Sequence, residues 1–155
     1  MEEFLVLHLD IKNISAHKRL YLRRHLVALA ERICRNEGIK GEAEVSLVLC
    51  DDAFIRKLNL QYRGKDEPTD VLSFQQEAIT PEGPRALGDI VISLDMVQRF
   101  CGGDRASMKK ELQLLFCHGL LHLLGFTHDK TADRRIMLEK QAQYLGIEVE
   151  QAWHT

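Results

Sequence analysis

The sequence predicts an α/β (α+β) fold, a single domain over residues 1–155 in which a small mixed four-stranded sheet is packed with about four to six helices. Three observations lead there. Short runs with an apolar residue at every second position, bounded by polar or glycine-containing turns, read as strands. Between and after them, apolar residues recur three and four apart, the spacing of a helix with one buried side. With 45% of its 155 residues hydrophobic, the chain can also bury one core of ordinary size, and it has no internal repeat and no long linker to divide it.

Residues 4–11, FLVLHLDI, set Leu5, Leu7, Leu9 and Ile11 on one face of a strand. Ser15 is then expected to cap a helix in which Leu22, Leu26, Leu29 and Ile33 share a side, ending near Asn36 and Gly38. The second strand, Glu44 to Cys50, alternates Val45, Leu47 and Leu49 with smaller or polar residues. Asp51 and Asp52 stand where the caps of a short helix to about Tyr62 belong. RGKDEPTD, 63–70, reads as a loop, because glycine, charge and the restriction Pro68 places on Glu67 all oppose a helix. VLSF, 71–74, is the third strand, and TPEGP, 80–84, is a turn-rich connection expected to be the most mobile loop. GDIVISL, 88–94, is the fourth strand. Ser107 is expected to cap a long helix to about Leu124, and a last helix runs from about Thr131 to Tyr144 with Gly146 beyond its end.

Composition narrows the function classes. The 21 basic and 23 acidic residues leave a net charge of −2, and 10 glycines with 3 prolines exclude a collagen-like or low-complexity chain. No apolar run approaches the roughly 18 residues of a membrane span. The N-terminal MEEFLVLHLDIKN has acids where a secretory signal carries Lys or Arg, so a cytoplasmic protein with no membrane contact is expected. Cys34, Cys50, Cys101 and Cys117 are far apart and form no CxxC pair, which makes them reduced packing residues rather than a disulfide framework or a thiolate zinc site.

Near-neutral charge does not exclude nucleic acid, because phosphate responds to the local field. Lys18, Arg19, Arg23, Arg24, Arg32 and Arg35 are opposed by one acid, Glu31. Looser groups contain Arg56, Lys57, Arg63 and Lys65, and then Arg105, Lys109 and Lys110. These permit an RNA partner; solvated helix faces are the alternative.

The chemistry is concentrated in 112–126, LQLLFCHGLLHLLGF, where Gln113 and the glycines aside only His118 and His122 are not apolar. A helix apolar almost all round is buried, and an unpartnered imidazole there costs about 1–3 kcal/mol. Four residues at about 100° each bring His122 to within about 40° of His118, one turn along, so both rings reach one point. Gly125 can end the helix in the left-handed conformation and swing His128 back to the same point. The result, H-x-x-x-H-x-x-G-x-x-H, predicts a metal site on a buried helix of the C-terminal half, with His118, His122 and His128 as ligands and a fourth position open as in catalytic zinc sites. One zinc ion per chain suits three imidazoles, although nickel, copper or iron also bind such a set.

Metzincin proteases share this spacing but carry a Glu general base after the first histidine, where this chain has Gly119, so peptide hydrolysis is the weaker reading. A helical glycine costs about 1 kcal/mol against alanine. Gly119 therefore signals either access to the backbone or close packing of another element. Cys117 lies about 100° round the helix from His118 and is read as core. His8, His17, His25 and His154 share no spacing and are read as ordinary side chains, and Asp89 is either a polar strand residue or a support for a ligand.

HGLLHLLGFTH from His118 to His128, NLQYRGKDEPTDVLSF from Asn59 to Phe74, and GDIVIS from Gly88 to Ser93 together resemble the three sequence blocks of the YbeY endoribonucleases, which are ribosomal RNA maturation factors. The likeness covers nearly the whole chain, with one departure: Thr127 stands where many relatives have Asp, and Asp129 follows the third histidine. The resemblance implies a mixed four-stranded sheet around the metal helix. It also implies a zinc-dependent, single-strand-preferring endoribonuclease acting in 3′-end maturation of small-subunit ribosomal RNA and in ribosome quality control, with the small ribosomal subunit and its proteins as partners. His118, His122 and His128 would bind the metal, and Arg63 would take the catalytic and substrate-contacting role. Asp70 and Ser73 lie in the matched block as further substrate-binding candidates, although Asp70 equally suits bracing its loop and Ser73 alternates with core positions.

Phosphodiester cleavage spreads negative charge over nonbridging oxygens, which a metal and the planar guanidinium of Arg63 can stabilise without a carboxylate base. The nucleophile is then water or the RNA 2′-hydroxyl. A surface salt bridge from Arg63 to Asp66 or Asp70 is the alternative role for that side chain. A ribosome assembly factor with a mainly structural metal is the competing function of a different class.

Overall fold

The computed structural model describes residues 4–21, 23–76 and 83–153. Its strands are β1 (Leu5–Asn13), β2 (Gly41–Cys50), β3 (Val71–Gln75) and β4 (Arg85–Ser93). They form one sheet in the order β1-β2-β4-β3, with β1 parallel to β2, β2 parallel to β4, and β3 antiparallel to β4. The helices are α1 (Arg23–Asn36), α2 (Asp52–Arg63), α3 (Leu94–Cys101), α4 (Arg105–Leu123) and α5 (Thr131–Leu145), followed by a 3-10 turn at Val149–Gln151. The mixed four-stranded sheet and the helix number expected from the sequence are both present.

The pleat divides the core between two faces. Ile90 and Ile92 of β4 join Leu47 of β2, Leu29 and Ile33 of α1, and Leu115, Phe116 and Leu120 of α4 in the main cluster. Val91, pointing the other way, meets Leu72 and Ile55 of α2 in a smaller one. Helix α4 is buried along most of its length, from Met108 to Leu123. Helix α5 is fastened to α1 by Arg32 Nη2 donating to the Tyr144 carbonyl at 2.7 Å and by the Lys140–Glu37 ion pair at 2.9 Å.

Several boundaries differ from the sequence expectation. Ser15 does not cap α1: Ser15 Oγ donates to Asn13 Oδ1 at 2.7 Å and accepts from the His17 amide at 3.0 Å. These short-range side-chain bonds offer the backbone an alternative to helix, and α1 begins only at Arg23. Leu22 lies outside the described residues, as do residues 80–82 of the connection expected to be mobile. Asp51 occupies the cap position of α2 without a side-chain cap bond and accepts instead from the Ala16 amide at 3.3 Å. The cap of α4 is Asp104, whose carboxylate accepts from the amide and the hydroxyl of Ser107 at 3.0 and 2.6 Å. Strand β4 starts three residues before Gly88, at Arg85, and Leu94 belongs to α3 rather than to the strand. The whole of α3 escaped the sequence reading, although its signals are present: Ser93 as cap, Leu94 and Val97 on the buried side, and Gly102 at its end.

The expected basic faces are partly structural. Arg23 Nη2 donates to the Leu9 carbonyl at 2.6 Å, Lys18 Nζ to the Asn13 carbonyl at 3.0 Å, and Arg105 to the carbonyl of Arg19. The cysteines are free, with Cys34, Cys50 and Cys117 buried and Cys101 partly so. Among the described residues no helix is long and apolar enough to cross a membrane.

At the carboxyl ends of β1, β2 and β4 a polar knot joins three connections. Asp95 accepts from the Asp52 amide at 3.0 Å and pairs with His17 Nε2 at 2.9 Å, while Asp52 takes hydrogen bonds from Ser93 Oγ and Arg99 Nη1. The Asp52 amide, then burial-opposed contacts with His17 and Arg99, hold the Asp95 carboxyl below its ordinary range. A carboxyl depressed in the fold stabilises it above the unfolded pKa, and the contribution disappears as acid protonates the folded state. Urea titrations of wild type and Asp95→Asn are therefore expected to differ at neutral pH, with the wild type more stable. The gap is expected to narrow as pH falls below about 4.

Candidate metal centre

One helical turn on α4 brings His118 and His122 together, with ring centroids 4.5 Å apart, ring planes at 83°, and Nε2 atoms 3.0 Å apart. Their other nitrogens are committed elsewhere. His118 Nδ1 donates to Gln141 Oε1 at 2.8 Å, and the orientation of that amide follows because its Nε2 donates to the Ala152 carbonyl at 2.6 Å. His122 Nδ1 donates to the Phe126 carbonyl at 2.9 Å. A neutral imidazole carries one proton, and with it on Nδ1 in both rings the two Nε2 atoms are acceptors that face each other. Two acceptors held face to face call for a cation between them.

The third ring comes from the helix end. The amide of Phe126 bonds the Leu121 carbonyl at 3.0 Å, and that of Gly125 bonds the His122 carbonyl at 3.0 Å, the paired closure that follows a left-handed residue. Gly125 is that residue, at φ 101°. The turn aims the Phe126 carbonyl at His122 and sets the exposed His128 ring 4.9 Å from His122 and 5.5 Å from His118. One ligand nitrogen from each of the three falls within 4.8 Å of the others. Burial, foremost, with the neighbouring His128 and the Arg63 charge, holds the His122 pKa below its ordinary value. That favours the neutral ring a metal needs. The donor set therefore fits a borderline-soft divalent metal, and no carboxylate or thiol of the described residues joins it.

Gly119 is explained by packing. A Cβ there would lie 2.9 Å from Ile90 Cγ2 and 3.1 Å from Ser73 Oγ. Ser73 Oγ donates to the Gly119 carbonyl at 3.2 Å, and Gln75 Nε2 reaches the His122 and Leu123 carbonyls, both at 3.2 Å. Helix α4 thus lies directly on β3 and β4, and a glutamate at 119, the base of the peptidase reading, has no room.

Arg63, the last residue of α2, is exposed and close enough for its charge to act on His122. Neither expected salt bridge forms: Asp66 is held by Arg56 at 2.7 and 3.2 Å, and Asp70 Oδ1 accepts from the Val71 amide at 2.7 Å. Beside Arg63, the exposed Tyr62 ring packs against Phe74 at 5.0 Å. The structure does not bring Asp70 to the histidines; it borders a separate hollow with Pro68, Met96 and Phe100 at the start of β3. Ser73 is engaged in helix packing, and Asp89 accepts from Gln76 at 2.8 Å. Cys117 is core, its thiol pushed up to about 12 by burial. His154 lies outside the described residues. His17, read as an ordinary side chain, forms a second possible ligand group with Asp51 and Asp95; His17 and Asp95 serve the polar knot described above, and Asp51 accepts from the Ala16 amide.

The sequence reading missed Gln141 and Trp153. Gln141 is 1% exposed on α5 one turn after the buried Met137, and a polar residue on a buried stripe is the signal that marks it. The Trp153 ring stacks on His118 at 4.1 Å and 22°.

Gln141→Ala removes the acceptor that orients His118 and is expected to weaken metal binding about 10- to 100-fold, read by competition with a chromophoric chelator. Gly119→Ala must displace Ile90 or lift α4 from the sheet, and is expected to cost about 1–3 kcal/mol in denaturant unfolding.

The model of the family described as Endoribonuclease YbeY matches residues 10–147. A protein named Endoribonuclease YbeY from Pelotomaculum thermopropionicum is 46% identical over 125 residues, covering 78% of this chain and 82% of the relative. One of the same name from Moorella thermoacetica is 47% identical over 118 residues, covering 71% and 76%. The solution structure of TM1509 from Thermotoga maritima superposes with a TM-score of 0.55 at 30% identity, covering 92% of this chain and 89% of that one. The matched stretch contains the three convergent imidazoles and Arg63, and the chain belongs to the endoribonuclease YbeY family.

Proposed function

We propose that this chain is a zinc-dependent endoribonuclease that cuts single-stranded ribosomal RNA, acting in the cytoplasm in 3′-end maturation of the small-subunit RNA and in ribosome quality control. The observation that carries the reading is the convergence of His118, His122 and His128, two of them with Nε2 atoms 3.0 Å apart, with the Arg63 charge acting on His122.

These three rings would hold the zinc, which supplies Lewis acidity toward a phosphoryl oxygen and acidifies an attacking hydroxyl. The chain's own groups do the rest. Gln141 and the Phe126 carbonyl keep the His118 and His122 protons on Nδ1, so Nε2 of each ring is the acceptor nitrogen. The Arg63 guanidinium, planar and always charged, would neutralise nonbridging phosphate oxygens as charge builds there. An RNA strand is drawn by the field of exposed Arg63 and the neighbouring basic side chains, with the small ribosomal subunit presenting the substrate.

Purified protein, His118→Ala and Arg63→Ala are compared on single-stranded ribosomal RNA, with and without chelator. Arg63→Ala is expected to keep its metal and fold while losing about 100- to 1,000-fold in cleavage rate. His118→Ala is expected to lose metal and activity together. A cyclic phosphate on the product identifies 2′-hydroxyl attack, and its absence identifies water. Tight binding to small subunits with no cleavage by metal-loaded wild type overturns the nuclease in favour of an assembly factor.

A further inference from the structure

We propose that the cleft beside the candidate metal centre is a nucleotide subsite, in which one base of a single-stranded RNA stacks on Trp153 and the adjoining phosphate pairs with Arg134. The inference rests on the nuclease reading and adds where the strand lies.

The cleft is about 280 Å³. His118 and His128 form its inner wall, Met137 and Leu138 supply apolar surface, and Arg134 and Trp153 line it with them. Among the described residues no carboxylate lines it, and the one permanent charge there is the Arg134 guanidinium, on an exposed residue. A flat apolar ring, an apolar floor and one cation match the parts of a nucleotide: a base with a π face and a phosphate. The volume lies near the lower end of small-ligand sites, about 300 Å³, which suits one base and not a base pair. This gives single-strand preference a steric origin, since a base in a duplex cannot turn into the cleft.

The platform is preformed. Trp153 is already stacked on His118 at 4.1 Å, and the preceding Ala152, fully buried, is anchored through its carbonyl to Gln141. Ordering the indole therefore costs the incoming strand little. Arg63 is not among the residues lining this cleft, and its charge acts on His122. Trp153 lies beyond residues 10–147, the part matched by the family model, so the stacking surface is supplied by this chain's C-terminal continuation.

Trp153 is the single tryptophan, and its fluorescence reports the site directly. The zinc-loaded full chain is titrated with a short single-stranded 2′-O-methyl oligoribonucleotide and with an abasic oligomer of equal length and charge. Saturable quenching is expected with the first and not with the second. With a labelled oligomer, Trp153→Ala is expected to bind about 5- to 100-fold more weakly, and Trp153→Phe to fall between it and wild type. Arg134→Ala is expected to reduce the slope of log affinity against log salt by about one. Metal content and circular dichroism are matched first; if Trp153→Ala loses either, Trp153→Phe decides. Wild-type affinity in the matched tryptophan variants, or equal binding of the abasic oligomer, overturns the subsite while RNA cleavage by wild type leaves the nuclease standing. A wild type that neither binds nor cuts RNA removes both.

Discussion

His118 and His122 are carried into the interior by a helix whose other residues there are almost all apolar, and each ring must find partners for two nitrogens away from water. The fold satisfies one nitrogen of each, through Gln141 Oε1 at 2.8 Å and the Phe126 carbonyl at 2.9 Å. The two Nε2 atoms face each other at 3.0 Å. Much of the surrounding structure follows from this constraint. Helix α5 must lie alongside α4 to deliver Gln141, the left-handed turn at Gly125 must point Phe126 backwards, and the C-terminal residues must fold over to hold the Gln141 amide in place.

The sheet serves the same end. Gly119 lets α4 settle against Ile90 and Ser73, and the Ser73 hydroxyl and the Gln75 amide then tie β3 to helix carbonyls on either side of His122. An edge strand joined to the metal helix by side chains is a rigid floor for the site. It also makes the loop before β3 and the end of α2 fixed points, and Arg63 stands on the second of them. Ser73, in the sequence either a substrate-binding candidate or a residue alternating with core positions, fastens α4 through its hydroxyl.

Electrostatics separate the working surface from the scaffold. Of the basic residues grouped in the sequence, Arg23, Arg32, Lys18 and Arg105 donate to backbone carbonyls and Arg56 to Asp66, which binds elements to one another. The Arg63 charge acts on His122, and Arg134, outside those groups, lines the cleft beside the imidazoles. A charge bonded to the protein contributes less to an approaching polyanion than one left to solvent, so the field that matters is narrower than the sequence groups indicate.

The sequence by itself determined what depends on neighbours within a turn or a pleat. The strands at Leu5–Asn13 and Gly41–Cys50 follow from alternation, the histidines one turn apart from helical spacing, and the reversal before His128 from a glycine. Where side chains compete with the backbone over two or three residues, as at Asn13, Ser15 and His17, the same local reading failed, and α1 starts later than its apolar spacing indicates. Tertiary structure alone decided the rest: Gln141 on His118, Trp153 over it, Ile90 under Gly119, and Arg63 beside His122 with its acidic neighbours engaged elsewhere. These are meetings of residues 23 or more apart in the chain, such as His118 with Gln141. Their contact depends on how helices and strands pack, and no periodicity within one element encodes it.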